Sequence, residues 1–321
     1  VLPATFTLPA RQPFDHAGVT RFLAAHAVAG VEAVVDGEYW RTLAVPGAAA
    51  GAAAASAGGA AQAVVAVRAS PAGVTGRVWF AGAEPADGGV AGGGVAAVSA
   101  AIGRLYDLDA DAPAIDAALG RVPELAASLA AAPGIRMPGS TDPHETLFRT
   151  LIGQQVSVKA ARTVQGTLAA ALGDRLDARL AAIAPAGLSL LFPTAAQLSA
   201  GGVGVVRGPA SRVRTILAVA DALADGSLVL GRDRSVPELM ASLEAMPGIG
   251  PWTAGYVAMR VLGAPDILLD GDLALRAGAA ALGLPSERRE LVRFAERVAP
   301  WRSYFGMHLW RDAVSAIAAP R

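Results

Sequence analysis

Met246-Pro247-Gly248-Ile249-Gly250-Pro251-Trp252-Thr253-Ala254-Gly255-Tyr256 (MPGIGPWTAGY) is the stretch that decides how this chain folds. Just upstream, Ser235-Val236-Pro237-Glu238 reads as a capping box, and it starts a helix with Leu239, Met240, Leu243 and Met246 on one face. Pro251 then opens a second helix, because proline pre-sets the first helical φ and lacks an N–H that would be orphaned there anyway. Gly263 stops that helix before Pro265. A plain helix–helix connection needs one glycine. Two glycines whose free N–H groups aim at a helix start make a site for an anion such as a phosphate. From the turn alone, a well-made helix–helix connection is the competing reading.

Working outward, Ile267-Leu268-Leu269-Asp270-Gly271-Asp272 is an apolar run ending in two acids, with Asp272 placed to cap the next helix. Asp142-Pro143-His144-Glu145 supplies an N-cap, a proline at the first helical position and a glutamate at the third. The helix it opens ends at Gly153, and another runs from near Ser157 to Gly173. From about residue 95 onward the pattern is helical. The first hundred residues differ. Strand-like runs appear at Ala4–Leu8, Glu32–Val35, Glu38–Val45, Gln62–Arg68 and Arg77–Ala81, with Asp36-Gly37 as a hairpin signal and one helix over His16–Val28. Gly47–Ala61 and Gly82–Gly94 are Gly/Ala-rich and read as loops.

Bulk properties bound the function. The 321 residues suffice for two or three domains, and 53% hydrophobic content supplies a large core. A net charge of zero argues for neither nucleic acid nor acidic partners at the level of the whole molecule. With no cysteine, disulfides, cysteine zinc sites, iron–sulfur clusters and thiol chemistry are excluded. No leader and no apolar run of about 18 residues is seen, so a soluble cytoplasmic protein is expected. The chain begins with Val1, which suggests a piece of a longer product. The four histidines are scattered in sequence and read as structural rather than as ligands.

The hairpin, the apolar run and Asp272 together resemble the helix–hairpin–helix DNA glycosylases, and within them the bacterial 3-methyladenine DNA glycosylase II (AlkA) type. The resemblance extends along nearly the whole chain. Arg21–Val28 is similar to that family's first helix, Leu151–Val158 to its DNA-wedge segment, and Pro300–Tyr304 followed by His308–Trp310 to its last helix. It implies an α+β protein with three parts. Residues 1–100 form a small antiparallel α/β (TBP-like) domain, and 101–230 a helical domain with the wedge. The hairpin and catalytic aspartate occupy 231–321 and pack with a helix around 101–120.

The resemblance also implies roles. Asp272 is the catalytic carboxylate beneath the deoxyribose, where positive charge develops, and Asp270 is a poor second. Trp252, Tyr256, Trp310 and Phe22 are pocket walls for a flipped, electron-deficient purine, although core packing competes for each aromatic taken singly. Gln154 and Gln155 form the wedge that fills the gap. Gly248, Gly250 and Thr253 contact the DNA backbone. No cofactor is needed for the chemistry, but backbone carbonyls of Glu244, Met246 and Ile249 are expected to hold Na+ or K+. The partner is duplex DNA with alkylated bases, without a membrane, and the protein is expected to be a monomer. Bifunctional relatives carry a nucleophilic lysine two residues after the second hairpin glycine. Trp252 stands there, and the only lysine, Lys159, lies just past the wedge. A monofunctional glycosylase is therefore expected. The alternatives are a catalytically silent DNA-binding module, the glycosylase half of an alkylation-response fusion, or a helical scaffold with no nucleic-acid role. Arg207, Arg212, Arg214, Arg288, Arg289 and Arg293 could form a local basic strip, although charge runs are usually solvated faces.

Overall fold

A computed structural model describes residues 2–45, 60–81 and 90–318. The N-terminal part comprises β1 (Ala4–Pro9), α1 (His16–His26), β2 (Glu32–Val35), β3 (Glu38–Val45), β4 (Ala61–Ser70) and β5 (Gly73–Phe80). The strands form one antiparallel sheet in the order β1-β5-β4-β3-β2. Asp36 and Gly37 join β2 to β3 with φ of 51° and 74°, a turn whose twist matches the flanking strands. The strand β5 begins four residues earlier than Arg77, because Pro71 and Ala72 turn the chain and Ser70 pairs with Gly73. Both faces of the sheet are covered. Ala63, Val65 and Val67 join Leu23 of α1 and Ile102 in one core, while Val64, Ala66 and Trp79 pack on Leu176, Leu180 and Leu188. That double burial explains why β4 reads as a continuous apolar run rather than an alternating one.

The helical part comprises α2 (Val90–Leu105), α3 (Ala112–Leu119), α4 (Ala126–Ala131), α5 (Pro143–Gly153) and α6 (Val158–Leu172). It continues with α7 (Ala178–Ala181), α8 (Ala195–Gly201), α9 (Ala210–Ala224), α10 (Val236–Glu244) and α11 (Pro251–Leu262). The last three are α12 (Leu273–Ala281), α13 (Arg288–Ala295) and α14 (Arg302–Ala318). One loop expectation needs correction: Val90–Gly94 open α2 rather than ending a loop. Each internal glycine costs a helix about 1 kcal/mol. Burial of Val98, Ile102 and Leu105 against the sheet outweighs that cost. Most of the other Gly/Ala-rich segment, residues 46–59, and residues 82–89 lie outside the described residues.

The predicted caps are in place. Ser235 and Glu238 form a reciprocal capping box, Asp142 accepts from His144 N and Glu145 N, and Gly263 ends α11 in the left-handed conformation. Two helical cores meet along α11. Leu151, Ile216, Leu239 and Val257 belong to one, and Ile115, Leu275, Leu291 and Phe305 to the other. Ala254 and Val257 of α11 face the first core and Met259 the second, so this helix forms the seam along which the site is built.

A buried ionic cluster ties the sheet to α5. Arg41 donates to Glu145 at 2.8 Å, and Arg149 donates to Glu32 at 2.9 Å and to Glu145 at 2.8 Å. Burial pushes the Glu32 carboxyl up, but Arg149 and Arg41 outweigh it and hold it below the usual range. Such clusters add little net stability because desolvation offsets the attraction. They do make any other docking of the sheet costly, since it would strand buried charge.

Candidate active site

Three side chains of α11 at four-residue spacing, Trp252, Tyr256 and Arg260, share one helix face. Trp252 and Tyr256 stack with centroids 5.5 Å apart, and Trp310 of α14 meets Tyr256 edge-on at 6.2 Å. Phe22 of α1 reaches the same place from the N-terminal part. These four rings and Asp272 line a cleft of about 930 Å³.

Asp272 sits at the start of α12 as its N-cap. One carboxylate oxygen, Oδ1, accepts from Leu275 N at 2.9 Å and from the Trp310 indole N–H at 3.2 Å. The other, Oδ2, accepts from the Trp252 indole N–H at 3.0 Å. The cap fixes the backbone of this residue and the two tryptophans fix its side chain. The same two indoles are walls of the cleft, so carboxylate and aromatic box form one unit. Asp270, the rival acid, is engaged elsewhere: Arg288 grips it in a bidentate pair at 2.8 and 3.2 Å.

Arg260 and His26, two of the polar residues that line the cleft, are given no site role by the sequence. Arg260 is 5% exposed, with its guanidinium carbon 5.0 Å from the ring centres of both Phe22 and Tyr256, and it donates to Pro138 O at 2.7 Å. Its position two turns after Trp252 on an otherwise apolar face is the signal that could have revealed it. His26 stacks on Phe22 at 4.1 Å, and burial lowers its pKa to about 4, so it is neutral near pH 7. Behind the site, Asp107 accepts from the Tyr304 hydroxyl and from Met137 N, both at 3.0 Å, while burial raises its pKa to about 6.

The wedge segment lies at the rim. Gln154 donates to Thr253 Oγ1 at 2.7 Å, which ties the end of α5 to the first turn of α11. Thr253 is itself buried. Gln155 is exposed, with a left-handed backbone at φ 56°. In the hairpin, Gly248 has φ 87°, and a Cβ there would lie 2.0 Å from Thr215 Oγ1. Gly250 is the N-cap of α11 with open space around it. Ile249 N donates to Met246 O at 3.1 Å, which closes the turn that follows Glu244, the last residue of α10. No cluster of three or more His, Cys, Asp or Glu side chains suited to a metal occurs among the described residues. His308, in α14, is buried and bonded to Ser128 at 3.0 Å.

An antiparallel sheet joined to a helical body, with a glycine hairpin beside a capped aspartate and an aromatic cleft, defines the class of helix–hairpin–helix DNA glycosylases. The family described as the AlkA N-terminal domain matches residues 5–80 and 90–142. DNA-3-methyladenine glycosylase 2 of Escherichia coli is 33% identical over 308 residues, covering 95% of this chain and 96% of that protein. The chain belongs to that AlkA-type glycosylase family. It is also 40% identical over 303 residues to the probable bifunctional transcriptional activator/DNA repair enzyme AlkA of Mycobacterium tuberculosis. That match covers 94% of this chain but 56% of the relative, so the chain spans about half the length of that protein. In three dimensions the fold is that of the 3-methyladenine DNA glycosylase from Archaeoglobus fulgidus, with TM-score 0.75 and 17% identity over 98% of this chain and 100% of that one. No helix among the described residues is long and apolar enough to cross a membrane.

Proposed function

We propose that this chain is a monofunctional DNA glycosylase that hydrolyses the N-glycosidic bond of alkylated purines in duplex DNA and leaves an abasic site. The observation that carries this reading is the Asp272 carboxylate, held by the indole N–H groups of two tryptophans that also wall the cleft. In the reaction the bond between the sugar C1′ and the base nitrogen breaks, and its electron pair leaves with the base. Positive charge builds on the deoxyribose, and a fixed carboxylate beneath it stabilises that charge without reorganising. Water then adds to C1′ and releases a proton. A 3-methyladenine or 7-methylguanine base is cationic while attached and departs neutral, so its departure needs no general acid.

The base must be outside the stack to reach Asp272. The stacked faces of Trp252 and Tyr256, with Trp310 and Phe22, would receive it. Gln155, exposed at the rim, would fill the vacated space, with Gln154 holding the segment to the hairpin. The amides of Gly248 and Gly250 and of the first turn of α11, which includes Thr253, would meet the phosphate backbone. A monovalent cation on the carbonyls of Glu244, Met246 and Ile249 would add positive charge there. A catalytically silent binding module is disfavoured, because nothing in mere binding calls for a carboxylate facing an aromatic cleft.

Asp272→Asn is expected to abolish release of 3-methyladenine from alkylated DNA while duplex binding persists. Release within a few-fold of the unaltered protein would refute the assignment. A second experiment concerns lyase activity. Borohydride should trap no covalent protein–DNA adduct, because Trp252 occupies the lysine position and Lys159 lies at the start of α6. Recovery of an adduct would make the enzyme bifunctional.

A further inference from the structure

Asp270, Arg288, Arg289, Val292 and Arg293 line a second cleft, of about 540 Å³, on the far side of the Gly271 turn from Asp272 in the chain. Arg288, Arg289, Val292 and Arg293 share one face of α13, four residues apart in two pairs, while Leu291 and Ala295 bury the opposite face. The three arginines are exposed. Asp270 neutralises Arg288 through the bidentate pair, and no ion pair to Arg289 or Arg293 is formed among the described residues. Glu287 and Glu290 stand in the same segment but do not line the cleft, so its lining presents Arg289 and Arg293 without an ion pair and Arg288 masked by Asp270.

Its position gives it a use. Asp270 precedes Asp272 by two residues, so their Cα atoms are at most about 7 Å apart. A DNA strand places a phosphate about every 3.4 Å along the helix axis. The phosphates that flank a sugar delivered to Asp272 would then lie within reach of this turn. We infer that the α13 cleft is a second phosphate-binding site, separate from the glycine hairpin. It would hold the backbone of the strand bearing the extruded nucleotide, with Asp270 limiting its strength by masking Arg288. The inference rests on the glycosylase reading and also gives Asp270 a role distinct from catalysis. Arginine is suited to it, since its planar fork matches phosphate oxygens. A net charge of zero over the molecule does not oppose the site, because binding responds to the local field.

The test is fluorescence anisotropy with a duplex carrying a single tetrahydrofuran abasic-site analogue, titrated at several KCl concentrations. Removing one arginine that neutralises a phosphate should reduce the slope of log K against log salt by about 0.9. The double variant Arg289→Gln/Arg293→Gln is expected to lower the slope by about 1.8 on that basis. Asp270→Asn, by releasing Arg288, is expected to steepen the slope and tighten binding. Arg175→Gln/Arg179→Gln, which removes two exposed arginines from the segment packed on the sheet, serves as the control for net charge. Circular dichroism melts establish that each variant is folded. A slope unchanged in the double variant, or reduced equally in the control, overturns the inference, as does weaker binding by folded Asp270→Asn. If the unaltered protein neither binds the duplex nor releases an alkylated base, the proposed function fails first. If it does both and only the slopes fail to move, the phosphate site alone is wrong.

Discussion

The two hairpin glycines have different jobs, and single substitutions separate them. Gly248 has φ 87° and a Cβ would strike Thr215 Oγ1, which itself donates to Pro247 O at 3.1 Å. Gly248→Ala combines a left-handed alanine with that clash and is expected to destabilise the protein by roughly 2–3 kcal/mol. Gly250 has φ −106° and open space, so Gly250→Ala should change stability by no more than about 0.5 kcal/mol. If its amide face meets phosphate, the added methyl should weaken duplex binding all the same. Thermal melts and anisotropy on both variants check this, and equal destabilisation by the two would contradict it. The conformational demand on Gly248 was not legible in MPGIGPW, because it arises from Thr215, which lies 33 residues earlier and is brought there by α9.

At the level of elements, the helices were legible wherever a cap and a periodic apolar face coincided. The start of α5 at Asp142-Pro143, of α10 at Ser235 and of α11 at Pro251 follow from local chemistry, and so does the stop at Gly263. The start of α2 was not, because three consecutive glycines carry no helical signal and the sheet beneath them does the ordering. The link between wedge and hairpin was equally hidden. Gln154-Gln155 reads as an ordinary polar turn. Its meaning depends on a hydrogen bond from Gln154 to Thr253, 99 residues later. Arg149 does something similar by donating to His26 O at 2.7 Å while pairing with Glu32 and Glu145. The helix that ends in the wedge is thereby tied to the segment that carries Phe22.

For the whole molecule, buried titratable groups set the response to acid. His26 and His308 are both lowered to about 4 by burial, so between pH 6.5 and 4 the unfolded chain binds protons that the native state refuses. Stability falls as pH drops through that window. Asp107, raised to about 6 by burial, acts in the opposite sense and gains stability as pH falls from about 6 towards 3.8. Two histidines outweigh one aspartate. Each unmatched proton is worth about 1.4 kcal/mol per pH unit. Urea unfolding should therefore report a loss on the order of 2–3 kcal/mol between pH 7.5 and pH 5. Stability that is flat or rises towards pH 5 would contradict these environments.

By itself the sequence determined those elements whose ends carry caps, because capping, proline geometry and apolar spacing act within a few residues. Through the resemblance that the hairpin carries, it also pointed to Asp272 and to four aromatics, Trp252, Tyr256, Trp310 and Phe22. Only the tertiary structure decided that the indoles of Trp252 and Trp310 converge on one carboxylate, and that Arg260 lies against Phe22. It also decided that Asp270 is occupied by Arg288. Those meetings join side chains 18, 20, 38 and, for Arg260 and Phe22, 238 residues apart, and local chemistry cannot specify a meeting that packing alone enforces.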